Sequence, residues 1–84
     1  MDPEVTLQAI ENAIMQVPNA DHEEVLDKIL ALDRWLSRGG FKPERLTARV
    51  QLLLDTLPKG PLAMDPIWAN CRLQLQHVLG NYHS

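Results

Sequence analysis

The chain has 84 residues, which suits a single domain. Hydrophobic residues make up 45% of it and charged residues 23%, a composition typical of globular proteins and too apolar for a disordered chain. Cys71 is the only cysteine, which excludes an intramolecular disulfide and a disulfide-stapled secreted domain. Because the N-terminal residues also lack the basic stretch and apolar run of a signal peptide, we expect a cytoplasmic protein.

The net charge of −3 at pH 7 is distributed unevenly. Residues 1–33 contain eight acidic residues and one basic residue, residues 34–59 contain six basic and two acidic residues, and residues 60–84 contain one of each. These three segments therefore carry −7, +4 and zero. The simplest interpretation is an acidic helix beside a basic one with charges pairing across the surface, since solvated charge is ordinary on helix faces.

The first helix is predicted over residues 3–17. Asp2 can accept hydrogen bonds from the first free backbone amides, and Pro3 suits the first helical position because its missing N–H costs nothing there. Pro18 is expected to end the helix, because proline cannot continue its hydrogen-bond pattern. Apolar residues at helical spacing predict one core-facing stripe, formed by Leu7, Ile10, Ile14 and Val17.

The second helix is predicted over residues 22–38. Asp21 followed by Glu24 resembles a capping box, and Gly39-Gly40 supplies a left-handed stop. The core stripe consists of Val25, Ile29, Leu32 and Leu36. Three further apolar residues widen this stripe, namely Leu26, Leu30 and Trp35. A face this wide indicates a central helix that touches two neighbours.

The third helix is predicted over residues 43–57, with Pro43 at its first position. Phe41 before the helix and Leu46 in its first turn can pack as a hydrophobic staple. The core stripe consists of Leu46, Val50, Leu53, Leu54 and Leu57. Residues 58–61, with the sequence Pro-Lys-Gly-Pro, form the clearest loop of the chain.

The fourth helix is predicted over residues 66–79, with Asp65 as its cap and Gly80 as its end. One face carries its apolar residues, Ile67, Trp68, Cys71, Leu75, Val78 and Leu79. No stretch of the chain alternates over enough residues to indicate a strand. Residues 1–84 are therefore predicted to form one all-α domain, a compact four-helix bundle or an orthogonal array, and periodicity does not choose between these two.

The segment from Leu32 to Pro43 has the sequence LDRWLSRGGFKP. An acidic amphipathic helix, a Trp-Leu-x-Arg-Gly-Gly-Phe turn and then a proline resemble short uncharacterised helical accessory proteins of bacteriophages. The resemblance covers about the first half of the chain, and its motif is the turn from Trp35 to Pro43. It implies a small accessory protein that acts on a host macromolecule in the host cytoplasm, and it carries no known active site.

The sequence contains no recognisable motif for catalysis, metal binding or a cofactor. It has no C-x-x-C, no H-x-x-x-H, no G-x-S-x-G and no glycine-rich phosphate loop. Cys71 lies on an apolar helix face, where a small core residue is expected, and His77 six positions later falls on another face. The other histidines are His22 and His83. We therefore predict a protein that is not an enzyme and binds neither metal nor cofactor.

Five basic residues surround the turn between the second and third helices, and we call them the basic corner: Arg34, Arg38, Lys42, Arg45 and Arg49. In one interpretation Arg38 interacts with the helix dipole and the others pair with carboxylates of the first helix. In the other, the corner binds an anion, either an acidic protein surface or nucleic acid. The acidic net charge counts against nucleic acid.

Three apolar residues lie away from the core stripes, namely Met15, Leu52 and Leu73. Together with Trp35, at the side of one stripe, they form a candidate apolar interface. Isolated exposed apolar side chains are ordinary on folded proteins. The alternative is a docking surface or a homodimer interface. Trp35 and Trp68 are expected to anchor the core, but a partly exposed Trp35 would be a typical interface hot spot.

The function predicted from these observations is that of a small protein-interaction module, such as an adaptor, an inhibitor or a regulator. One alternative is a nucleic-acid-binding protein that uses the basic corner, and another is a homo-oligomeric structural subunit. The expected partner is another protein, with nucleic acid or a second copy as alternatives, and no membrane partner is expected.

Overall fold

The computed structural model describes residues 2–16, 21–40, 42 and 45–82, apart from the side chains of Leu62 and Ala63. Over these residues the chain contains no strand and four α helices, namely α1 (Pro3–Ile14), α2 (His22–Ser37), α3 (Leu46–Thr56) and α4 (Pro66–Asn81). A short 3-10 helix, Gly60–Met64, precedes α4. The predicted all-α, four-helix fold is confirmed.

Three helices begin at the aspartates that the sequence predicts. The side chains of Asp2, Asp21 and Asp65 each accept a hydrogen bond from the backbone amide two residues later. Such caps satisfy amides that have no partner within the helix, and each stabilises a helix by about 0.5–2 kcal/mol. Pro3 and Pro66 occupy the first position of α1 and α4, where a missing N–H costs nothing.

The third helix begins three residues later than predicted, at Leu46 instead of residue 43. Arg45 precedes it with φ of 58°, in the left-handed region, and its side chain makes no capping hydrogen bond. A left-handed residue interrupts a right-handed helix, so α3 can start only after it. The predicted roles of Phe41 and Pro43 involve residues outside the described ranges.

The ends of α1 and α4 differ from the prediction by three and two residues, and those of α2 and α3 by one residue. α1 ends at Ile14 instead of residue 17, and the predicted stop at Pro18 lies outside the described residues. The predicted stop at Gly80 is wrong, because α4 continues to Asn81 and the glycine keeps a helical backbone. The left-handed stop after α2 is confirmed by Gly39, whose φ is 84°.

The helices surround one core in the cyclic order α1, α2, α4, α3. Each packs on its two neighbours in this order, and in the described residues no Cα of α2 lies within 8 Å of a Cα of α3. The radius of gyration is 11.9 Å, which matches the value of about 12 Å expected for a compact domain of this length. The two helices that flank the basic corner in sequence are therefore diagonal to each other.

Two histidine–aspartate pairs show that α2 and α4 run parallel. His22 at the start of α2 pairs through Nδ1 with Oδ2 of Asp65, the cap of α4, at 3.0 Å. Asp33 lies eleven residues farther along α2, and its Oδ1 is 3.5 Å from Nε2 of His77, twelve residues beyond Asp65. Steps of nearly the same length along both helices keep these pairs level, so the two helices run in the same direction.

The core is formed by the stripes that the sequence predicts. Its buried residues are Leu7, Ile10, Ile14, Val25, Ile29, Leu32, Leu36, Leu46, Val50, Leu53, Leu54, Leu57, Trp68, Cys71, Leu75 and Val78. Ile67 is only partly buried, and Leu79 packs at the edge of the core. None of the described helices has both the length and the apolar character needed to cross a membrane.

Candidate functional site

An open groove lies on the C-terminal half of α2. Its volume is about 330 Å³, and the described residues that line it are Ala31, Arg34, Trp35 and Arg38. Relative to Ala31, the other three residues lie three, four and seven positions farther along the helix. Residues at these spacings share one side of an α helix. The groove therefore combines a flat apolar ring with two guanidinium groups.

The position of Trp35 in this groove depends on Gly40. The indole is half-buried and packs against the core. Gly39 reverses the backbone after α2, and the amide of Gly40 donates a hydrogen bond to the carbonyl oxygen of Trp35 at 3.1 Å. This hydrogen bond holds the backbone of Gly40 against the indole. The contact is so close that a Cβ at this position would lie 2.5 Å from Trp35 Nε1. Only glycine leaves room for the ring in this position.

We expect the same substitution at two glycines to have opposite effects. Gly40→Ala should destabilise the fold by about 1–3 kcal/mol, because the added methyl group displaces the Trp35 ring. Gly80→Ala should stabilise it by about 0.5–1 kcal/mol, because Gly80 is helical and a Cβ there meets nothing within 4 Å. Urea unfolding measures both changes, and near-ultraviolet circular dichroism reports the indole. An unchanged spectrum and stability for Gly40→Ala would contradict the close approach.

The two arginines of the groove are not neutralised within the described part of the chain. Arg34 and Arg38 are both exposed, and neither guanidinium forms an ion pair or a hydrogen bond with a described residue. Arg38 is the C-cap of α2, where the helix dipole favours a cation. Like charges one helical turn apart repel each other slightly, and an anion bound between them removes that repulsion.

The remaining residues of the basic corner have different surroundings. Arg49 forms an ion pair with Glu4 and so links α3 to α1, as the interpretation of charge pairing with the first helix requires. Arg45 is exposed at the start of α3, and Lys42 is exposed in the turn before it. The groove of α2 therefore contains two of the five predicted residues, and a third holds two helices together.

The residues of the candidate apolar interface lie on four different helices or helix ends. Met15, Leu52 and Leu73 are exposed by 67%, 55% and 60%, as the sequence predicts. Two further exposed residues were missed, Val5 at 63% and Met64 at 85%. The position of Val5, two residues before a core leucine, places it on the opposite side of α1 and could have been inferred from the sequence. Met64 belongs to a 3-10 helix that periodicity does not predict.

The interface between the starts of α2 and α4 contains a histidine, an aspartate and the cysteine. The ring of His22 pairs with Asp65 and stands edge-on to Trp68, with 6.0 Å between the ring centroids. Cys71 is fully buried, and its Sγ lies 3.9 Å from the carbonyl oxygen of His22. Burial, and to a lesser degree the charge of Asp65, raise the pKa of the Cys71 thiol to about 11. The thiol therefore stays protonated at neutral pH, unlike a reactive cysteine, and the predicted core position is confirmed.

A second histidine lies farther along the same interface. The Nδ1 atom of His77 is 3.1 Å from the side-chain amide nitrogen of Asn81, which also donates to the His77 carbonyl oxygen at 2.9 Å. When Asn81 donates to Nδ1, the ring proton lies on Nε2 and faces Asp33. Across the described ranges, no three His, Cys, Asp or Glu side chains are grouped so that they could hold a metal ion. His83 lies outside those ranges.

Comparison with known proteins finds no matching family model, no similar curated protein and no similar solved structure. The resemblance of the turn from Trp35 to Pro43 to bacteriophage accessory proteins therefore stays a prediction.

Proposed function

We propose that the chain is a protein-interaction module that binds an acidic segment of a partner protein in the groove of α2. The observation that carries this proposal is the pair of exposed arginines, Arg34 and Arg38, which flank Trp35 and have no ion-pair partner in the described chain. Guanidinium groups bind carboxylates through paired hydrogen bonds, and tryptophan and arginine are typical of interface hot spots.

A module of this kind acts as an adaptor, an inhibitor or a regulator. The resemblance of the turn after Trp35 to phage accessory proteins supports an action on a host macromolecule in the host cytoplasm. The described residues of the groove all lie on α2, and a partner needs only one or two carboxylates at helical spacing to contact both arginines.

The charge distribution favours a protein over nucleic acid as the partner. A nucleic acid presents a long row of phosphates, and residues 1–33 carry a net charge of −7 that would repel it. Arg49 is also occupied by Glu4, which leaves few cations to follow a phosphate backbone. An acidic protein segment can contact the groove alone and avoid the acidic part of the chain.

The proposal is tested by reversing the charge of the groove. The double variant Arg34→Glu/Arg38→Glu should retain at least about tenfold less partner from a host lysate than the natural chain, because each carboxylate then meets a like charge. The matched control is Lys59→Glu/Arg72→Glu, which has the same net charge of −7 with its changes outside the groove. This control should retain the partner.

Nuclease treatment and circular dichroism complete the experiment. A protein retained from nuclease-treated lysate by the control, and lost by the groove variant with its helicity unchanged, is the expected result. Equal retention by both variants would rule out the groove as the binding site. Retention that disappears after nuclease treatment would replace the protein partner with nucleic acid.

A further inference from the structure

We propose that the acidic segment that fits the groove is α2 of a second copy of this chain, so that two copies pair antiparallel through the outer sides of their α2 helices. The proposal rests on the function proposed above, because it names the partner of the same groove. The evidence lies in the order of charges along α2 and in their lack of ion-pair partners among the described residues.

One stripe of α2, on the side away from the core, is acidic in its first half and basic in its second. Its residues are Glu23, Asp27, Ala31, Arg34 and Arg38. Their spacings of four, four, three and four follow the helical repeat, which places them on one side of the helix. All four charged residues are exposed, whereas the buried stripe with Val25 and Ile29 lies opposite. We call this set the charged stripe.

The charges of this stripe are placed symmetrically about the midpoint between Leu30 and Ala31. Asp27 and Arg34 lie about 5 Å from that midpoint along the helix axis, in opposite directions, at 1.5 Å per residue. Glu23 and Arg38 lie about 11 Å from it on the same rise per residue. A twofold axis through this midpoint therefore relates each acidic position to a basic position of the other copy.

Antiparallel pairing about this axis brings four pairs of opposite charges together. Asp27 faces Arg34 of the second copy, Glu23 faces Arg38 of the second copy, and the symmetry repeats both contacts. Parallel pairing would instead set acid against acid and base against base, which disfavours binding. The order of the charges thus selects the direction of the partner helix.

A small residue at the centre of the charged stripe permits close contact between the two helices. Ala31 lies next to the midpoint and lines the groove beside Trp35. Two helices with small side chains at their crossing point approach to about 8 Å between axes, so the flanking charges come within reach of each other. The indole then extends the apolar contact to one side of the charged pairs.

The helix dipole alone does not explain this arrangement. It favours an acid in the first turn and bases in the last turn, which is consistent with Glu23, Arg34 and Arg38. It acts along the axis, so it neither requires an acid in the second turn, at Asp27, nor places the charges on one side. On the adjacent side of α2 the charge of Glu24 is neutralised by a lysine at 3.4 Å, whereas no charge of the stripe has an ion pair among the described residues.

Sedimentation equilibrium of the purified chain tests the proposal. The natural chain should show a monomer–dimer equilibrium that weakens as salt is added, because exposed charge pairs are screened. The double variants Arg34→Glu/Arg38→Glu and Glu23→Arg/Asp27→Arg should each weaken the dimer at least about tenfold, since the facing charges become alike. An equimolar mixture of the two should form a heterodimer, because one stripe is then wholly acidic and the other wholly basic.

Two controls keep the test decisive. Lys59→Glu/Arg72→Glu reverses two charges elsewhere and should dimerise like the natural chain. Ala31→Gln adds no charge and preserves helix propensity, so it should weaken the dimer by blocking close approach even if a charge variant fails to fold. Circular dichroism establishes the fold of every variant.

The results separate this proposal from the more general one. A specific contact of this kind should have a Kd of about 1 mM or lower. If the natural chain stays monomeric at a concentration of about 1 mM, the partner is not a second copy. A monomer that still loses a lysate partner on reversal of Arg34 and Arg38 would keep the proposed function and reject the dimer. A dimer that neither charge variant weakens would also reject α2 as the interface.

Discussion

Leu75→Ala should lower the free energy of unfolding by about 2–5 kcal/mol. Leu75 is fully buried on α4, in the core to which all four helices contribute. Truncation removes apolar burial and leaves a cavity that packed neighbours close only in part. Since a domain of this length has a total stability of roughly 4–13 kcal/mol, this single change removes a large fraction of it. Urea unfolding followed by far-ultraviolet circular dichroism gives the difference.

The matched control for this prediction lies two residues away on the same helix. Leu73 is 60% exposed, so Leu73→Ala removes the same atoms with little loss of burial. We expect its effect to stay within about 0.5 kcal/mol. Equal losses for the two variants would show that α4 does not present the faces described above, whereas a large difference confirms which side of the helix is buried.

Ionisation of the Cys71 thiol should lower the free energy of unfolding by about 1.4 kcal/mol per pH unit between pH 9 and pH 11. Burial, followed by the charge of Asp65, raises the pKa of Cys71 from its ordinary value of 9.0 to about 11. Below pH 9 the thiol is protonated in both the folded and the unfolded chain, and its contribution to the free energy of unfolding is fully present. Above pH 9 the unfolded chain releases the proton and the folded chain keeps it, so rising pH favours unfolding until about pH 11. The total loss is about 3 kcal/mol.

Comparison with Cys71→Ala isolates the effect of this thiol from every other effect of pH on stability. Urea unfolding of both chains at several pH values between 8 and 11, with reductant present, gives two curves of stability against pH. The natural chain should lose stability more steeply, and the difference between the curves should change little below pH 9 and grow between pH 9 and pH 11. Parallel curves would show that the folded chain does not hold the thiol in its protonated form.

The amino-acid sequence by itself determined the helices and their buried sides. The aspartates before α1, α2 and α4 accept hydrogen bonds from amides only two or three residues away. The prolines of α1 and α4 fit the first helical position because of their own geometry. The apolar repeat likewise depends only on helix geometry, so the residues predicted for the core are almost all buried. The composition of the charged stripe on α2 is also a property of sequence and helical period alone. Local signals of this kind can be recognised without knowing the rest of the fold.

Only the tertiary structure decided which helices are neighbours and which charges are already neutralised. α2 and α3 follow each other in sequence but lie diagonally, and each packs on α1 and α4 instead. The ion pair between Arg49 and Glu4 joins residues 45 positions apart, and no local pattern distinguishes this arginine from those of the groove. The left-handed backbone of Arg45 is a conformation that an arginine rarely adopts, so the sequence does not predict it either. Which charges stay available to a partner is therefore decided by long-range packing, since packing determines which carboxylates come within reach of each arginine.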